Sequence, residues 1–299
     1  MIKELSELIK LAKEKTVRNI AVAAAEDEDV LIAVKSAVEE KIVTPILIGD
    51  ASKILRIARN VNFKLGNTEV IDCNNNVDSA RIAVEMVKTG RADILMKGRV
   101  KTSDLLRAVL DKQIGLSAGR LISHIAFFQS PYYHKIFCVT DVAMNIDPTL
   151  EDKVQIINNA VAACHQIGVK TPKVAVVAAV ETVNPKMEAT LHAAALKEMC
   201  LEGKIKGCII DGPLAVDIAF SKEAAIHKGV DSKVAGDCDI VIVPDIEAGN
   251  MFYKALNFLG GANSAAIIVG ASAPIVLTSR SDNDKSKLLS IALATLMQN

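Results

Sequence analysis

One polar segment combines hydroxyls, a guanidinium and carboxylates at the start of a helix-like stretch. Ser279-Arg280-Ser281-Asp282-Asn283-Asp284 follows an apolar run and precedes the periodic stretch 288–296. The free N–H groups of a helix N-terminus bind anions, hydroxyls add hydrogen-bond donors, and the planar Arg280 side chain matches two phosphate oxygens. The segment therefore indicates a phosphate site. The alternative is that its Ser and Asp side chains only cap the helix.

A second polar segment, Asp245-Ile246-Glu247-Ala248-Gly249-Asn250, places two carboxylates and a glycine after another apolar run. These carboxylates could orient a catalytic group, and a turn with a helix cap is the alternative. The five histidines share no spacing typical of a metal site or a catalytic triad, so each is predicted to be structural or exposed. The six cysteines are scattered as well, which favours reduced thiols and no metal site.

The usual nucleotide and nucleophile motifs are absent or misplaced. Neither G-x-G-x-x-G nor G-x-x-x-x-G-K-[ST] follows any apolar run. Gly115-Leu116-Ser117-Ala118-Gly119 has the spacing of a hydrolase nucleophile elbow, which needs a strand before it and a helix after it. Here a helix pattern at 105–112 precedes it and a strand pattern at 121–128 follows. We interpret it as a glycine turn that ends a helix, with a serine hydrolase using Ser117 as a rival.

Apolar runs that are bounded by polar turns and separated by helix-like stretches must position these segments. Such runs are typical of parallel strands that are buried on both faces. Helices that alternate with parallel strands predict a three-layer α/β/α fold, in which ligands bind at the carboxyl ends of the strands. We predict strands at residues 20–25, 45–48, 94–96, 174–180, 207–210, 240–243, 265–269 and 274–277.

The residues directly after the predicted strands are the candidates for ligand contact. Besides the two polar segments, they are Lys97-Gly98-Arg99, Glu181-Thr182-Val183-Asn184 and Asp211-Gly212-Pro213. The acid run 26–29 is interpreted only as a helix start, because negative charge is favoured there. The most aromatic stretch, 132–138, is interpreted as an extended segment that crosses between layers.

Composition narrows the classes of partner. The chain has 299 residues, 51% of them hydrophobic, which is enough for two domains with cores. Lys plus Arg and Asp plus Glu both number 35, so no excess positive charge favours nucleic acid. No apolar stretch reaches the roughly 20 residues of a membrane helix, and the N-terminus has an amphipathic helix pattern instead of a signal peptide. We expect a cytoplasmic protein with neither a membrane nor a nucleic-acid partner.

Several of these segments, in one shared order, resemble the phosphate acetyl/butyryltransferase family nearly from end to end. Residues 121–124, 181–187 and 274–280 look closer to the butyryl branch than to the acetyl branch. The matching segments are Lys97-Gly98-Arg99-Val100-Lys101-Thr102-Ser103-Asp104-Leu105-Leu106-Arg107, Thr140-Asp141-Val142-Ala143-Met144-Asn145-Ile146-Asp147-Pro148, Asp211-Gly212-Pro213-Leu214-Ala215-Val216-Asp217, Val234-Ala235-Gly236, residues 244–250 and Thr278-Ser279-Arg280.

The resemblance implies a two-domain fold like that of isocitrate and isopropylmalate dehydrogenases. Residues 1–128 with 275–299 are expected to form the first α/β domain and residues 129–274 the second, with the active cleft between them and a homodimer as the minimum assembly. It also implies the reaction of butyryl-CoA with phosphate to give butyryl phosphate and CoA. CoA is then a substrate, and no cofactor or metal is expected.

Other functions remain open at this stage. They are a phosphate acetyltransferase, a non-catalytic protein that binds CoA or acyl phosphate, and a nicotinamide-dependent dehydrogenase that the fold analogy alone permits.

The resemblance finally implies roles for single residues. Ser279 is expected to donate a hydrogen bond to the oxyanion, and Arg280 to hold the phosphoryl group. Acetyltransferase relatives carry an acidic base after a longer loop. The loop after Ser279-Arg280 is about two residues shorter here. Asp284 is the counterpart of that base when this deletion is placed directly after Ser279-Arg280, and Asp282 is the alternative. The further substrate-binding candidates are Arg107, Lys97, Thr102, Asp211, Glu247 and Asn250.

Overall fold

The computed structural model of the protein describes residues 2–278 and 282–297. The chain divides into two compact units. The first unit comprises Ser6–Arg120 and Ala265–Asn299, and the second comprises Met1–Leu5 and Leu121–Ser264. The domain boundaries predicted from the sequence, after residues 128 and 274, lie further along the chain than these.

Eleven helices and eleven strands are formed by the part of the chain that the structure describes. In chain order they are α1 (Glu7–Lys13), β1 (Arg18–Ala23), α2 (Glu28–Glu39), β2 (Val43–Gly49), α3 (Ala51–Asn60), β3 (Glu69–Asp72), α4 (Asn76–Lys88), β4 (Ile94–Lys97), α5 (Thr102–Val109), β5 (Ser123–Gln129), β6 (Phe137–Thr140), α6 (Leu150–Gln166), β7 (Lys173–Val177), α7 (Glu188–Leu201), β8 (Ile209–Leu214), α8 (Val216–Phe220), α9 (Lys222–His227), β9 (Ile240–Ile242), α10 (Ile246–Phe258), β10 (Asn263–Val269), β11 (Ile275–Val276) and α11 (Asp284–Leu296).

The strands of the first unit lie in the order β3-β2-β1-β4-β11-β10. The first five run parallel to one another. Residues 20–23 of β1 and all of β4 are buried, as strands covered by helices require. The prediction that all strands are parallel is wrong for β10, which pairs with β11 in the antiparallel sense. Only residues 270–274 connect these two strands, whereas a parallel crossover needs a dozen or more residues.

The strands of the second unit lie in the order β5-β6-β9-β7-β8. Strands β5 and β6 are antiparallel, and the remaining neighbours are parallel. The stretch 132–138 was predicted to cross between layers, and this prediction is wrong. Its last two residues begin β6, which lies in the sheet between β5 and β9. Phe137 and Cys138 are both buried, and a short aromatic run of this kind is equally compatible with a central strand.

Parallel pairing gathers the carboxyl ends of β1, β2, β4 and β11 at one edge of the first unit's sheet. In the second unit the carboxyl ends of β6, β7 and β9 likewise share an edge. The α/β class with helices on both sides of the sheet agrees with the fold predicted from the sequence. None of the helices that the structure describes is long and apolar enough to cross a membrane.

Candidate active site

Lys97 is the last residue of β4, at the carboxyl edge of the first unit's sheet. It is only 6% exposed, and its Nζ donates to the main-chain oxygen of Gly98 at 3.2 Å. A Cβ on Gly98 would lie 2.2 Å from the main-chain oxygen of Ala24, so glycine alone permits this close passage. The N–H groups of Gly98 and Arg99 donate to the oxygens of Ala23 and Ala24 at 2.8 and 2.7 Å. These bonds extend the pairing of β1 and β4 and hold Lys97 at the edge.

Thr102 and Arg107 lie on α5, the helix that follows this loop. Thr102 is its first residue and is half-buried. The Arg107 side chain is 74% exposed, with Nη1 3.1 Å from Asp104 Oδ1. An exposed pair at this spacing contributes only about 0.3–0.5 kcal/mol, so Arg107 can exchange Asp104 for an incoming anion. Arg81 lines the same groove of about 100 Å³ between α4 and α5.

The segment before α11 holds the four predicted catalytic residues. Ser279 and Arg280 lie outside the described residues. The cap of α11 is Asn283, whose Oδ1 accepts a hydrogen bond from the N–H of Ser286 at 2.8 Å. Neither Asp282 nor Asp284 therefore serves as the cap. Asp282 is only 7% exposed, whereas Asp284 is the first helical residue and is exposed. The two candidate bases differ in environment, one buried and one open to solvent.

Two further ionisable groups at this edge are absent from the sequence-based predictions. Lys287 on α11 is 3% exposed and contacts Asp282 and Asp29. Glu26 is also buried, and its Oε2 has no hydrogen-bond partner among the described residues. The absence of a side chain at Gly49 makes room for this oxygen, since a Cβ there would lie 2.1 Å from it. A buried carboxylate oxygen of this kind can accept a hydrogen bond from water or a ligand.

The acid run 26–29 does start a helix, as predicted. Asp27 caps α2 by accepting a hydrogen bond from the N–H of Val30 at 3.1 Å. Glu26 stood within this run of four acids, and nothing in the pattern separates a buried carboxylate from its solvated neighbours. The sequence therefore carried no usable signal for its burial.

A buried carboxylate organises the loop after β6 in the second unit. Asp141 Oδ1 accepts hydrogen bonds from the N–H groups of Ala143 and Met144 at 2.9 and 3.1 Å. Its Oδ2 accepts from the N–H and the side-chain amide of Asn145 at 3.2 and 2.6 Å. The Asn145 amide also donates to the oxygen of Ile122 at 3.0 Å. Sequence reasoning missed this role, although an Asp directly after a buried strand and four residues before an Asn is a usable signal.

The second polar segment, 245–250, begins α10 beside this loop. Asp245 caps the helix by accepting from the N–H of Ala248 at 2.8 Å, so the turn-and-cap interpretation applies to this carboxylate. A Cβ on Gly249 would lie 2.4 Å from the oxygen of Asp141, which fixes the helix against the loop. Asn250 is exposed and its amide donates to the oxygen of Val142 at 3.4 Å. Glu247 is exposed in the first turn.

The sequence-based boundary placed Asp211 after a strand, but the structure places it within one. Strand β8 runs from Ile209 to Leu214, so Asp211 is within it. Its Oδ1 is 2.8 Å from Lys197 Nζ and accepts the N–H of Gly212 at 2.9 Å. Gly212 and Pro213 looked like a turn in the sequence, but a strand at the edge of a sheet tolerates both residues. A substrate-binding role for Asp211 stays a prediction, and its ion pair with Lys197 would have to yield to a ligand.

A lysine–histidine pair joins α6 and α7 in the second unit. Lys153 is buried and its Nζ lies 2.9 Å from His192 Nδ1. Burial lowers the pKa of His192, and the neighbouring Lys153 lowers it further, since two adjacent cations repel. Burial also lowers the pKa of Lys153, an effect that the carboxylates of Asp147, Glu188 and Asp245 oppose. Both shifts disfavour a state in which the two side chains are charged together.

The remaining histidines have structural or surface positions among the described residues. His134 lies 3.0 Å from Asp237, and His165 Nε2 is 3.0 Å from the oxygen of Gly207. His124 is buried and stacks edge-on against Tyr253. Within residues 2–278 and 282–297, no three His, Cys, Asp or Glu side chains are placed to hold a metal ion. The expectation of a reaction without metal stays a prediction.

Each unit therefore carries polar groups at the carboxyl ends of its parallel strands. In the first unit these include two buried lysines and two carboxylates beside the start of α11. Cations of this kind can bind phosphate oxygens, and a carboxylate can accept a proton from a thiol. In the second unit they are the carboxylate of Asp141 in the loop after β6, and the exposed side chains of Glu247 and Asn250 in the first turns of α10.

Comparison with known proteins adds sequence and structural relatives. The profile of a family described as "Phosphate acetyl/butaryl transferase" matches residues 4–79 and 74–295. Phosphate butyryltransferase from Clostridium acetobutylicum is 47% identical over 297 residues, which cover 99% of this chain and 99% of that protein. A branched-chain phosphotransacylase from Enterococcus faecalis V583 has a crystal structure that is similar with a TM-score of 0.80 at 31% identity, covering 94% of this chain and 98% of that one.

A more distant structural relative bears on the fold alone. The 4-hydroxythreonine-4-phosphate dehydrogenase from Klebsiella pneumoniae covers 93% of this chain and 98% of its own, with a TM-score of 0.52 at 14% identity. This likeness confirms the dehydrogenase-like fold class that the sequence predicted.

Proposed function

The chain belongs to the phosphate acetyl/butyryl transferase family, and from this premise we propose that it exchanges CoA for phosphate on a short acyl group, most specifically butyryl. The reaction is butyryl-CoA plus phosphate giving butyryl phosphate plus CoA. The observation that carries the proposal is the full-length similarity to a phosphate butyryltransferase, which leaves no large part of either chain unmatched.

In the direction of thioester formation, the CoA sulfur attacks the carbonyl carbon of butyryl phosphate. A C–S bond forms, the C–O bond to phosphate breaks, and its electron pair leaves with the phosphate oxygen. The thiol proton passes to a carboxylate of the protein. A thiol has a pKa of about 8.5, so little thiolate exists at neutral pH, and a positioned base contributes about 10²–10⁴ in rate. Asp284 and Asp282 are the two candidates for this base.

The first unit's strand ends supply the other roles. Ser279 donates to the oxyanion that develops on the carbonyl, and Arg280 binds the phosphoryl group with two parallel hydrogen bonds. Lys97 supports this assignment, because it is buried at the end of β4, the strand adjacent to β11. Thr102 and Arg107 on α5 complete the set of anion-binding candidates, and Arg107 is exposed enough to meet a phosphate from solvent.

Glu247 and Asn250, in the second unit, are proposed contacts for the acyl-CoA, supported by their exposure on the first turns of α10. Asp211 belongs to the same set, and a ligand would have to displace its ion pair with Lys197. No resident metal or redox group enters the proposal, since the acyl group is already activated as a thioester or an acyl phosphate. A cytoplasmic location and a homodimeric assembly are further parts of the proposal, and the family membership supports both.

The proposal is tested by measuring free thiol released from butyryl-CoA by the purified protein, with and without phosphate. Phosphate-dependent release is expected, and release that needs no phosphate would identify a thioesterase instead. An acyl-CoA series from two to six carbons, with a branched member included, then tests selectivity. A higher kcat/KM for butyryl-CoA than for acetyl-CoA is expected, and the reverse would assign the protein to the acetyl branch. Tight acyl-CoA binding without turnover would identify a non-catalytic binding protein.

A further inference from the structure

Lys287 has an unusual position in the first turns of α11. It lies four residues after the cap Asn283 and is only 3% exposed. Positive charge near a helix N-terminus opposes the helix dipole, and burial of a charged group carries a desolvation cost. Lys285, two residues earlier on the same helix, is exposed as usual. A buried lysine at this position therefore goes against two local preferences, and such departures tend to mark functional sites.

Two contacts account for the position of this side chain. Lys287 Nζ donates a hydrogen bond to the main-chain oxygen of Asp282. The same nitrogen lies 3.7 Å from Asp29 Oδ2 in the first turn of α2. Lys287 thus links three parts of the first unit: α11, the first turn of α2, and the residue that directly follows segment 279–281.

The contact with Asp282 separates the two candidate bases. Asp282 is buried and its main-chain oxygen is held by Lys287, while the next residue, Asn283, is fixed by its role as helix cap. Asp284 is exposed on the first turn and lies beyond that cap. A group that takes a proton during catalysis must be held to within a fraction of an ångström, and misplacement by about 1 Å can lower the rate about 10²-fold.

We propose that Lys287 is a positioning residue of the active site, which holds Asp282 in the place where its carboxylate takes the proton from the CoA thiol. The inference rests on the proposed phosphate acyltransferase function. In this role Lys287 acts through Asp282 and not on either substrate. A role in stability alone is the competing explanation, because a clamp between two helices would also stabilise the first unit.

The test is a double-substitution cycle on the purified protein. Lys287→Met removes the ammonium group that makes both contacts and keeps a side chain of similar length. Lys285→Met is the matched control on the same helix. Lys287→Met is expected to lower kcat about 10–100-fold, with less than about threefold change in either KM, because it disturbs the position of a reacting group and not ground-state binding. Lys285→Met is expected to stay within about twofold of the wild type.

The cycle separates positioning from stability. Lys287→Met should lower kcat little further in an Asp282→Asn background, because the group it positions is already disabled, and should keep its full effect in an Asp284→Asn background. Equal effects in both backgrounds, or an unchanged kcat in the single variant, would overturn the inference while leaving the proposed function intact. A wild-type protein without phosphate-dependent thiol release would refute both.

Folding is followed in parallel by thermal denaturation. If Lys287→Met does not fold, Lys287→Gln is used in the same cycle, since its uncharged amide ends one atom short of the lysine Nζ and so weakens both contacts of the clamp. If neither variant folds, Lys287 is structural and the inference is wrong. Asp29→Asn removes the charge at the other end of the clamp and, because that side chain is half-exposed, is expected to lower kcat by a smaller factor in the same direction.

Discussion

Gly98→Ala perturbs the candidate site at the point where the first unit tolerates least change. Gly98 follows Lys97 at the end of β4, and its added Cβ would lie 2.2 Å from the oxygen of Ala24 and 2.6 Å from that of Ala23. Both are main-chain atoms at the end of the neighbouring strand β1, so no side-chain rotation relieves the overlap. The Lys97-Gly98-Arg99 loop has to move away from β1.

The size of the effect follows from what that movement breaks. Contacts below about 3.0 Å are not tolerated, so the loop must shift by nearly 1 Å at Gly98. Such a shift weakens the hydrogen bonds from Gly98 and Arg99 to Ala23 and Ala24. Two hydrogen bonds at about 1 kcal/mol each, with some relaxation of the loop, give a loss of about 2–3 kcal/mol in the free energy of unfolding. Displacement of Lys97 by a similar distance should lower kcat/KM about 10-fold or more.

The assay combines urea unfolding with phosphate-dependent thiol release per folded molecule. Gly90→Ala is the control, because Gly90 has a φ of 75° and open space around its Cβ position. Its alanine variant should lose about 1–2 kcal/mol through backbone strain alone and keep its activity. A Gly98→Ala protein with wild-type stability would refute the steric reasoning. A destabilised protein with unchanged kcat/KM would refute the placement of Lys97 in the site.

Further predictions concern the other ionisable groups. Arg280→Lys should raise the KM for phosphate far more than that for CoA, because an ammonium cannot reproduce two parallel hydrogen bonds; an unchanged phosphate KM would make Arg280 structural. The wild-type free energy of unfolding should fall as pH drops below about 6.5, because the lowered pKa of His192 means that the unfolded state binds the proton more readily. Urea midpoints at pH 5.5 and 7.5 should differ less in His192→Gln, and equal differences would contradict this. Activity should survive a strong chelator, and loss restored by a divalent ion would refute a metal-free reaction.

Most strands of the first unit could be predicted from the sequence because burial on both faces leaves a continuous apolar run. Strand β4 was predicted within one residue of its observed end, which placed Lys97 at the sheet edge. Strand β3 was missed, because it has four residues, begins with Glu69 and ends with Asp72, and is only partly buried. Hydrophobicity does not encode the direction of β10, but the short connection between the predicted strands 265–269 and 274–277 does, and that signal was overlooked.

The candidate site was less predictable than the fold, since burial of a polar group depends on neighbours far away in sequence. Asp211 was assigned to a strand end because glycine and proline follow it, yet the strand continues through both. Lys287 gave no signal, because a lysine near the start of a helix is normally solvated. Its environment is created by Asp29, on a helix more than two hundred residues earlier in the chain.

The first unit has two buried lysines near the carboxyl ends of β4 and β11, and their positive charge is relevant to the proposed phosphate substrate. Lys97 ends β4 and Lys287 lies near the start of α11, the helix that follows the adjacent strand β11. A buried cation is costly unless it is paired or hydrogen-bonded. Lys287 meets this requirement within the protein, through Asp282 and Asp29, and so suits a fixed positioning role. Lys97 donates to the main-chain oxygen of Gly98 at the end of β4, and an ammonium group can also donate to phosphate oxygens. Our proposal thus gives the two lysines different work: Lys287 holds the main chain at Asp282 in place, and Lys97 donates to the phosphate that is exchanged.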